Sequence, residues 1–532
     1  MNDSKKDSLP AFELRDAHGT ARSFPSSRPA LLCFVKEDCP TCGMTMPLIE
    51  TARRAFGASV DVWAIGQDAE GNAKLVERYA LTGPMLDDST LKVSFEYGLD
   101  TVPTIILADA HGDEQRRFVG FGRDDWRAMF AELSRQSGVP SPAVDWNSYP
   151  ESRPGCGSKS VEPGIAEHLE AEARGDKLTA RRIELGDAED VFEFMFERGL
   201  TDGLPVVPPT PERVMWMMTG TRHDPREVIA IVPPNLAPVT VEKVAVNSVM
   251  AGCKPEYLPV VIAALEAVCT DEFNIHGIMS TTWGATPVIV VNGPIRHRLD
   301  MNMGMMALGY GTRSNATIGR ALKLVLRNVG GARPGEIERA TLGAIGKFTT
   351  CFAEWEERSP WEPLHVERGF RKDENVVTVF GLEAGSRQIA DQTSRTAHAL
   401  GGSLGMGLEA CWHPKQHNAG EILLVISPEH ADTLAREKWG KAQLRARIQE
   451  VTSRPTRELI RDDESGEGIP LSALGTPTKE QLAKTIAKFR RPEDINIIVA
   501  GGNAGKFSAV FAGWVSGPMG SSSVSRRIEE AT

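Results

Sequence analysis

Unbroken apolar runs alternate with helical periodicity through the first 140 or so residues. Residues 29–35 (Pro-Ala-Leu-Leu-Cys-Phe-Val) are apolar without interruption and bounded by polar positions, which predicts a buried strand. Helical spacing follows over 44–56. A second strand is expected at 60–65 and a second helix at 72–80. Thr104-Ile105-Ile106-Leu107 reads as a third strand, and Ala110-His111-Gly112-Asp113 as the turn of a hairpin whose return strand is 116–120. A helix over 123–136 closes the pattern. Further on, strands are expected at 228–232, 287–292, 376–380, 422–426 and 495–500, with helices at 239–250, 257–268, 316–329, 429–451 and 478–488. Strands alternating with helices in this way make the fold class α/β from end to end.

A chain of 532 residues is too long for one core. The composition shifts to Pro, Ser and Gly between 138 and 176, which suggests a domain at 1–140, a linker at 141–176 and a larger α/β domain at 177–532, with a lobe break near 370–375. The formal charge of -11 speaks against a nucleic-acid surface as the main business of the protein. The first seven residues, Met1-Asn2-Asp3-Ser4-Lys5-Lys6-Asp7, lack the apolar run of a secretory signal, and no stretch approaches the ~18 apolar residues of a spanning helix. A cytoplasmic protein without membrane partners is the expectation.

Of eight cysteines, only Cys39 and Cys42 form a tight pair, in Cys39-Pro40-Thr41-Cys42. Such a pair can close a disulfide without moving the backbone, and its first thiol attacks partners through a mixed disulfide. The rival reading, half of a zinc site, needs a second close pair that the sequence lacks. The cysteines Cys269 and Cys351 fall in apolar surroundings, where a buried inert thiol is the default. Cys156 stands apart: Pro154-Gly155-Cys156-Gly157-Ser158-Lys159 flanks it with glycines that permit close backbone approach, and Lys159 offers a charge to steady a thiolate.

The order of elements, the Cys-x-x-Cys pair between a strand and a helix, and Val102-Pro103-Thr104 ahead of the third strand together resemble thioredoxin folds, in which a cis-proline, here Pro103, lies against the active-site pair. The segment from Pro10-Ala11-Phe12-Glu13-Leu14 to Cys42 is similar to the TlpA/AhpC-type branch. One departure is Asp38 before the first cysteine, where a carboxylate would raise the Cys39 pKa. The Thr or Ser that precedes a peroxidatic Cys in the AhpC pattern is also missing, because residue 36 is Lys. From Arg153 onward the chain resembles a bacterial family named for a selenocysteine-Gly-Ser-Cys motif. The likeness is carried by the Cys156 segment, by Thr201-Asp202-Gly203-Leu204-Pro205-Val206-Val207-Pro208-Pro209, by Met250-Ala251-Gly252-Cys253-Lys254-Pro255-Glu256-Tyr257 and by Ser359-Pro360-Trp361-Glu362-Pro363. The resemblance puts Cys156 at the selenocysteine position and implies redox or nucleophilic work there. Lys159 replaces the motif's last Cys, so the neighbouring resolving thiol is missing.

Substrate-binding candidates in the large domain are Cys253 in Gly252-Cys253-Lys254-Pro255, and Arg313, Asn315 and Arg320 at the start of a helix, where an anionic substrate would settle. Lys506 follows a glycine-rich loop after the strand at 495–500. The loop fails the phosphate-loop spacing but suits a backbone anion site leading into a helix. His413 and His417 have a metal-like spacing that Pro414 interrupts, and no metal or cofactor is expected. Glu362, His365 and Arg368 are further acid–base groups.

The expected function is thiol–disulfide exchange in which the Cys39/Cys42 pair re-reduces Cys156 for a domain acting on a small substrate, with an external thiol as final reductant. The alternatives are a reductase of protein disulfides and a lyase or hydrolase that the redox domain keeps reduced.

Overall fold

The computed structural model describes residues 8–162, 165–173, 175, 178–183, 185–186, 190–515 and 519–529. It divides into two compact units, Met1–Arg182 and Ile183–Thr532. The charged segment read at 1–7 and the boundary expected at 176/177 lie outside the described residues.

The first unit is built on a seven-stranded sheet. Its strands are β1 (Phe12–Asp16), β2 (Ala21–Phe24), β3 (Ala30–Val35), β4 (Asp61–Gly66) and β5 (Met85–Asp87), then β6 (Thr101–Val102) outside the sheet, β7 (Thr104–Ala108) and β8 (Glu114–Val119). The sheet order is β2-β1-β5-β4-β3-β7-β8. Strands β3, β4 and β5 run parallel, and β7 and β8 return antiparallel. Every residue of β3 and β7 is buried. That explains their unbroken apolar sequences, since a strand covered on both faces has no polar side to alternate with. Helices α1 (Pro40–Phe56), α2 (Ala69–Tyr79), α3 (Lys92–Glu96) and α4 (Arg123–Ser137) complete this unit. Trp126 on α4 is fully buried, edge-on to Phe118 and tilted against Phe130.

A short strand β9 (Phe121–Gly122) leads into α4, and two more extend the unit past it, β10 (Ser152–Arg153) and β11 (Cys156–Gly157). The region expected as a linker therefore contains a strap with backbone pairing to the fold. Strand β10 runs antiparallel to β9, and β11 antiparallel to β6. Polar contacts fix residues 158–160 beyond β11. Gln67 Nε2 donates to Ser158 Oγ at 2.7 Å, the Lys159 N–H donates to Gln67 Oε1 at 3.1 Å, and Ser160 Oγ donates to the Leu99 carbonyl at 3.1 Å.

The second unit carries a hairpin of β12 (Val228–Val232) and β13 (Ala237–Thr240) and two larger sheets. One orders β15 (Cys351–Ala353), β14 (Ala285–Asn292), β16 (Val376–Glu383) and, at the far edge, β23 (Val524–Arg527). The other consists of β17 (Arg387–Ala390), β22 (Phe507–Ala512), β18 (Ile422–Ile426) and β21 (Ile495–Val499); the small pair β19 (Arg454–Pro455) and β20 (Thr485–Ile486) lies apart. A shared apolar core joins the sheets, with Val288, Val290 and Phe380 from one and Leu423, Val425 and Phe511 from the other. Helices Ala397–Leu408, Pro428–Arg436 and Lys441–Thr452 cover the second sheet's other face.

Three expectations for this unit are corrected. The helix expected at 478–488 is only Lys479–Ala483, after which the chain turns into strand β20, paired with β19. The helix read over 429–451 is two helices, because Lys438 adopts a left-handed conformation (φ 57°) and Gly440 caps the next helix. The loop after β21 leads into strand β22 rather than a helix. Its apolar run, Ser508-Ala509-Val510-Phe511-Ala512, is buried and pairs with both β18 and β17.

Candidate functional site

Cys39 is the N-cap of α1, with Pro40 in the first helical turn. Its sulfur accepts the Cys42 N–H at 3.2 Å, so the helix N-terminus points an unpaired backbone donor at the thiolate. Burial pushes the Cys42 thiol far above its ordinary range, and its bond to Cys39 pushes the same way, so Cys42 stays protonated. The consequence for Cys39 is the reverse. Hydrogen bonding from Cys42 lowers its pKa to about 5 against the opposing effect of burial, and the Cys156 thiol adds to the lowering. Cys39 is thus a thiolate at neutral pH, the nucleophilic form.

The expected harm from Asp38 does not materialise. Lys36 Nζ pairs with the exposed Asp38 carboxylate at 3.4 Å, and the hydrogen bonds at the Cys39 sulfur outweigh what remains.

The Val102–Pro103 peptide is cis, as the sequence pattern predicts. Immediately before it, Val102 lies opposite Cys156 and Thr101 opposite Gly157 in the antiparallel register of β6 and β11. This register brings the Cys156 thiol to the Cys39 sulfur. Contact with Cys39 is the first cause raising the Cys156 pKa, followed by burial. Cys156 therefore keeps its proton and shares it with Cys39. Lys159, expected to steady a Cys156 thiolate, instead pairs with Asp68 at 2.6 Å; the cation that acts on Cys156 is Lys36.

The strap lies close over the pair. Thr41 Oγ1 donates to the Pro154 carbonyl at 2.8 Å, and Cys39 is only 1% exposed. A Cβ on Gly155 would stand 2.5 Å from the Val102 carbonyl oxygen, so only glycine fits there, whereas a Cβ on Gly157 would meet nothing within 4 Å. Of the two glycines that suggested close approach, one is required by it.

The residues read as substrate-binding lie in the second unit and are engaged with their own surroundings. Cys253 is buried, its Sγ 3.5 Å from the Thr317 carbonyl, and burial pushes its thiol up to about 12. Arg313 donates to the carbonyls of Gly252, at 2.7 Å, and Cys253, at 3.3 Å. The Asn315 amide bridges the backbone of Asn302 and Ala307. Arg320 grips Asp202 with two bonds of 2.8 Å. Lys506 reaches the Gln392 carbonyl at 3.4 Å, and the Gly505 N–H of the neighbouring loop is already taken by the Glu429 carboxylate.

A cavity of about 530 Å³ opens at the carboxyl ends of β18 and β21, among Ser427, Gly501, Gly505 and Ser508. His365 is fully buried and faces Glu356 at 3.9 Å; Arg368 bonds Asn496 and Ser523. Each ring nitrogen of His417 faces a backbone carbonyl, of Ile486 or Pro414. Among the described residues, no group of three or more His, Cys, Asp or Glu side chains is gathered as a metal site would require. Likewise, no helix among them is long and apolar enough to cross a membrane.

Sequence reasoning missed Gln67 and Thr41, which hold the strap. No signal marked them, because their partners lie 91 and 113 residues away.

Residues 6–113 match the AhpC/TSA family. The solved structures similar to this chain include the thioredoxin domain of a thiol-disulfide oxidoreductase from Bacteroides vulgatus (19% identity, 25% of this chain and 99% of that one, TM-score 0.22). StoA from Bacillus subtilis is similar at 22% identity over 21% of this chain and 88% of its own, TM-score 0.20. Peroxidoxin BcpB from Mycobacterium tuberculosis is similar at 20% identity over 24% and 95%, TM-score 0.22. No curated protein matches the chain. The N-terminal unit thus holds a thioredoxin-like domain whose residues 6–113 match the AhpC/TSA family.

Proposed function

We propose that Cys39, Cys42 and Cys156 form a three-thiol relay in which the Cys39/Cys42 pair re-reduces Cys156 after Cys156 has reacted with a small, thiol-reactive substrate. The observation that carries this reading is the pairing of Cys156 with Val102, which sets its thiol on the Cys39 sulfur. Extended segments dock by main-chain pairing of this kind, and the strap does so in cis.

The electron balance is simple. Oxidised Cys156, written as a mixed disulfide with a small thiol, is attacked by the Cys39 thiolate; a Cys39–Cys156 disulfide forms and the small thiolate leaves. Cys42 then attacks the Cys39 sulfur, its proton passing to the Cys156 sulfur, which leaves as a thiol. The resulting Cys39–Cys42 disulfide takes two electrons from an external dithiol. The resolving thiol expected at the fourth position of the selenocysteine-type motif that this segment resembles, occupied here by Lys159, is replaced in this scheme by Cys39. The polarity of the pKa shifts supports this direction, since the group lowered to about 5 attacks and the raised one is restored.

Glutathione disulfide tests the reading. Wild-type protein reduced beforehand, treated with no more than one equivalent of it and quenched in acid is expected to carry a Cys39–Cys42 disulfide and no glutathione on Cys156. Cys39→Ser is expected to retain one glutathione on Cys156 by peptide mass mapping. A stable glutathione adduct at Cys156 in the wild type would rule the relay out.

A further inference from the structure

The second unit holds a lysine whose surroundings fit it for covalent chemistry unrelated to the thiols. Lys323 lies on the helix Arg313–Asn328 and lines a cavity of about 180 Å³. Its Nζ hydrogen-bonds to the hydroxyl of Thr286, a fully buried residue of β14. Among the described residues, no carboxylate lies within ion-pair distance of Lys323. Glu338, an acid on the cavity wall, is taken by Lys347 at 2.8 Å. Met279, Leu326, Pro334 and Phe348 supply apolar walls.

A lysine in an apolar cavity beside a second cation is the arrangement that yields a free amine at neutral pH. Both influences are present: burial first, and then the Lys347 charge, lower the Lys323 pKa to about 7.

Arg327, one helical turn on, shapes the ligand. It lines the same cavity, and its Nε is buried without a hydrogen-bond partner among the described residues. Its guanidinium makes a long hydrogen bond, 3.4 Å, to the Gly199 carbonyl. The Asp202 carboxylate on the cavity wall is already held by Arg320. The cavity therefore carries an unmatched guanidinium four residues from an amine, a pairing suited to a carbonyl compound that also bears a carboxylate.

We propose that Lys323 is the imine-forming residue of a binding site for a small oxo acid, with Arg327 receiving the acid's carboxylate. The amine lone pair adds to the carbonyl carbon to give a carbinolamine. Loss of the former carbonyl oxygen as water then gives the imine, with no oxidant or reductant consumed. Thr286 is a positioning residue that holds Nζ toward the cavity.

The test is reductive trapping on the full-length protein with 2-oxobutyrate and sodium borohydride, read by peptide mass mapping. The expected result is one modified residue, Lys323, with labelling that reaches half its maximum near pH 7, in line with its lowered pKa. At that pH its reactive fraction is on the order of a thousandfold above that of a surface lysine. Lys323→Arg should lose the label. Arg327→Gln should cut labelling by 2-oxobutyrate roughly tenfold and leave labelling by butanone unchanged. Lys347→Met should move the midpoint to higher pH, because a neighbouring positive charge is removed. Label spread over surface lysines, still rising above pH 9 in the wild type, would overturn the site whatever the variants do. Equal labelling by butanone and 2-oxobutyrate would overturn the assignment of Arg327.

Discussion

Gly155→Val is expected to speed alkylation of Cys39 by iodoacetamide at pH 7 by roughly thirty- to hundredfold, because it lifts the strap from the pair. A Cβ at that position would stand 2.5 Å from the Val102 carbonyl oxygen and 2.5 Å from Thr101 Cγ2, and the backbone oxygen cannot swing away. Lifting the strap breaks the β6–β11 pairing and the Thr41–Pro154 hydrogen bond. At about 1 kcal/mol net for each bond, losing two or three of them shifts the open population by that factor.

Two effects on Cys39 then oppose each other. Losing the Cys156 S–H raises its pKa, while the larger contribution, from Cys42, remains, so Cys39 is still mostly thiolate at pH 7 and gains access. Gly157→Val is the control, since a Cβ there meets nothing within 4 Å, and its alkylation rate should match that of the wild type. Equal rates in both variants would show that the strap does not shield Cys39.

The largest loss of stability is expected in the second unit, from Arg296→Met. Arg296 is 2% exposed, and its guanidinium meets Glu356 and Glu357, each at 3.0 Å, as well as the Gly293 and Glu354 carbonyls at 2.8 Å. Removing it takes the arginine from the nearly buried Glu356, which keeps the N–H donors of Asn292 and Gly293 but lies close to Glu354, an acid that burial already pushes up to about 7. Breaking a buried pair by deleting one partner costs about 3–5 kcal/mol. Chemical denaturation followed by tryptophan fluorescence measures it. Adding Glu356→Gln should recover part of the loss, since it removes the charge left without its arginine. A loss below ~1 kcal/mol would mean that the network is hydrated and contributes little.

Much of the thioredoxin-like unit was legible because its signals are local. The buried strand at Ala30–Val35 is a run of apolar residues, the Cys-x-x-Cys pair sits at a helix start, and Val102-Pro103 precedes a strand. The role of Cys156 was only half legible. Its glycines announced close approach, but nothing in the sequence named Val102 as the partner, because the register across β6 and β11 is set by tertiary packing. Arg313, Asn315 and Arg320 looked like ligand-binding groups because sequence shows charge and not its partner; Asp202, 118 residues away, was invisible as the mate of Arg320. The apolar run after Lys506 was misread for a related reason. A short buried strand and a helix start carry the same residues until the pairing with β18 is known. Lys323 escaped notice altogether, since a lysine in an amphipathic helix looks like a solvated one until the cavity around it appears.

The central claim is that Cys156 is the partner of Cys39. Cys42→Ser removes the thiol that resolves the mixed disulfide, so the intermediate should accumulate. Oxidation of this variant, followed by acid quenching and mass mapping of its disulfide-linked peptides, is predicted to give one dominant internal bond, Cys39–Cys156. A dominant Cys39–Cys253 bond, or a Cys39 that pairs only with added thiols while Cys156 stays free, would contradict the account.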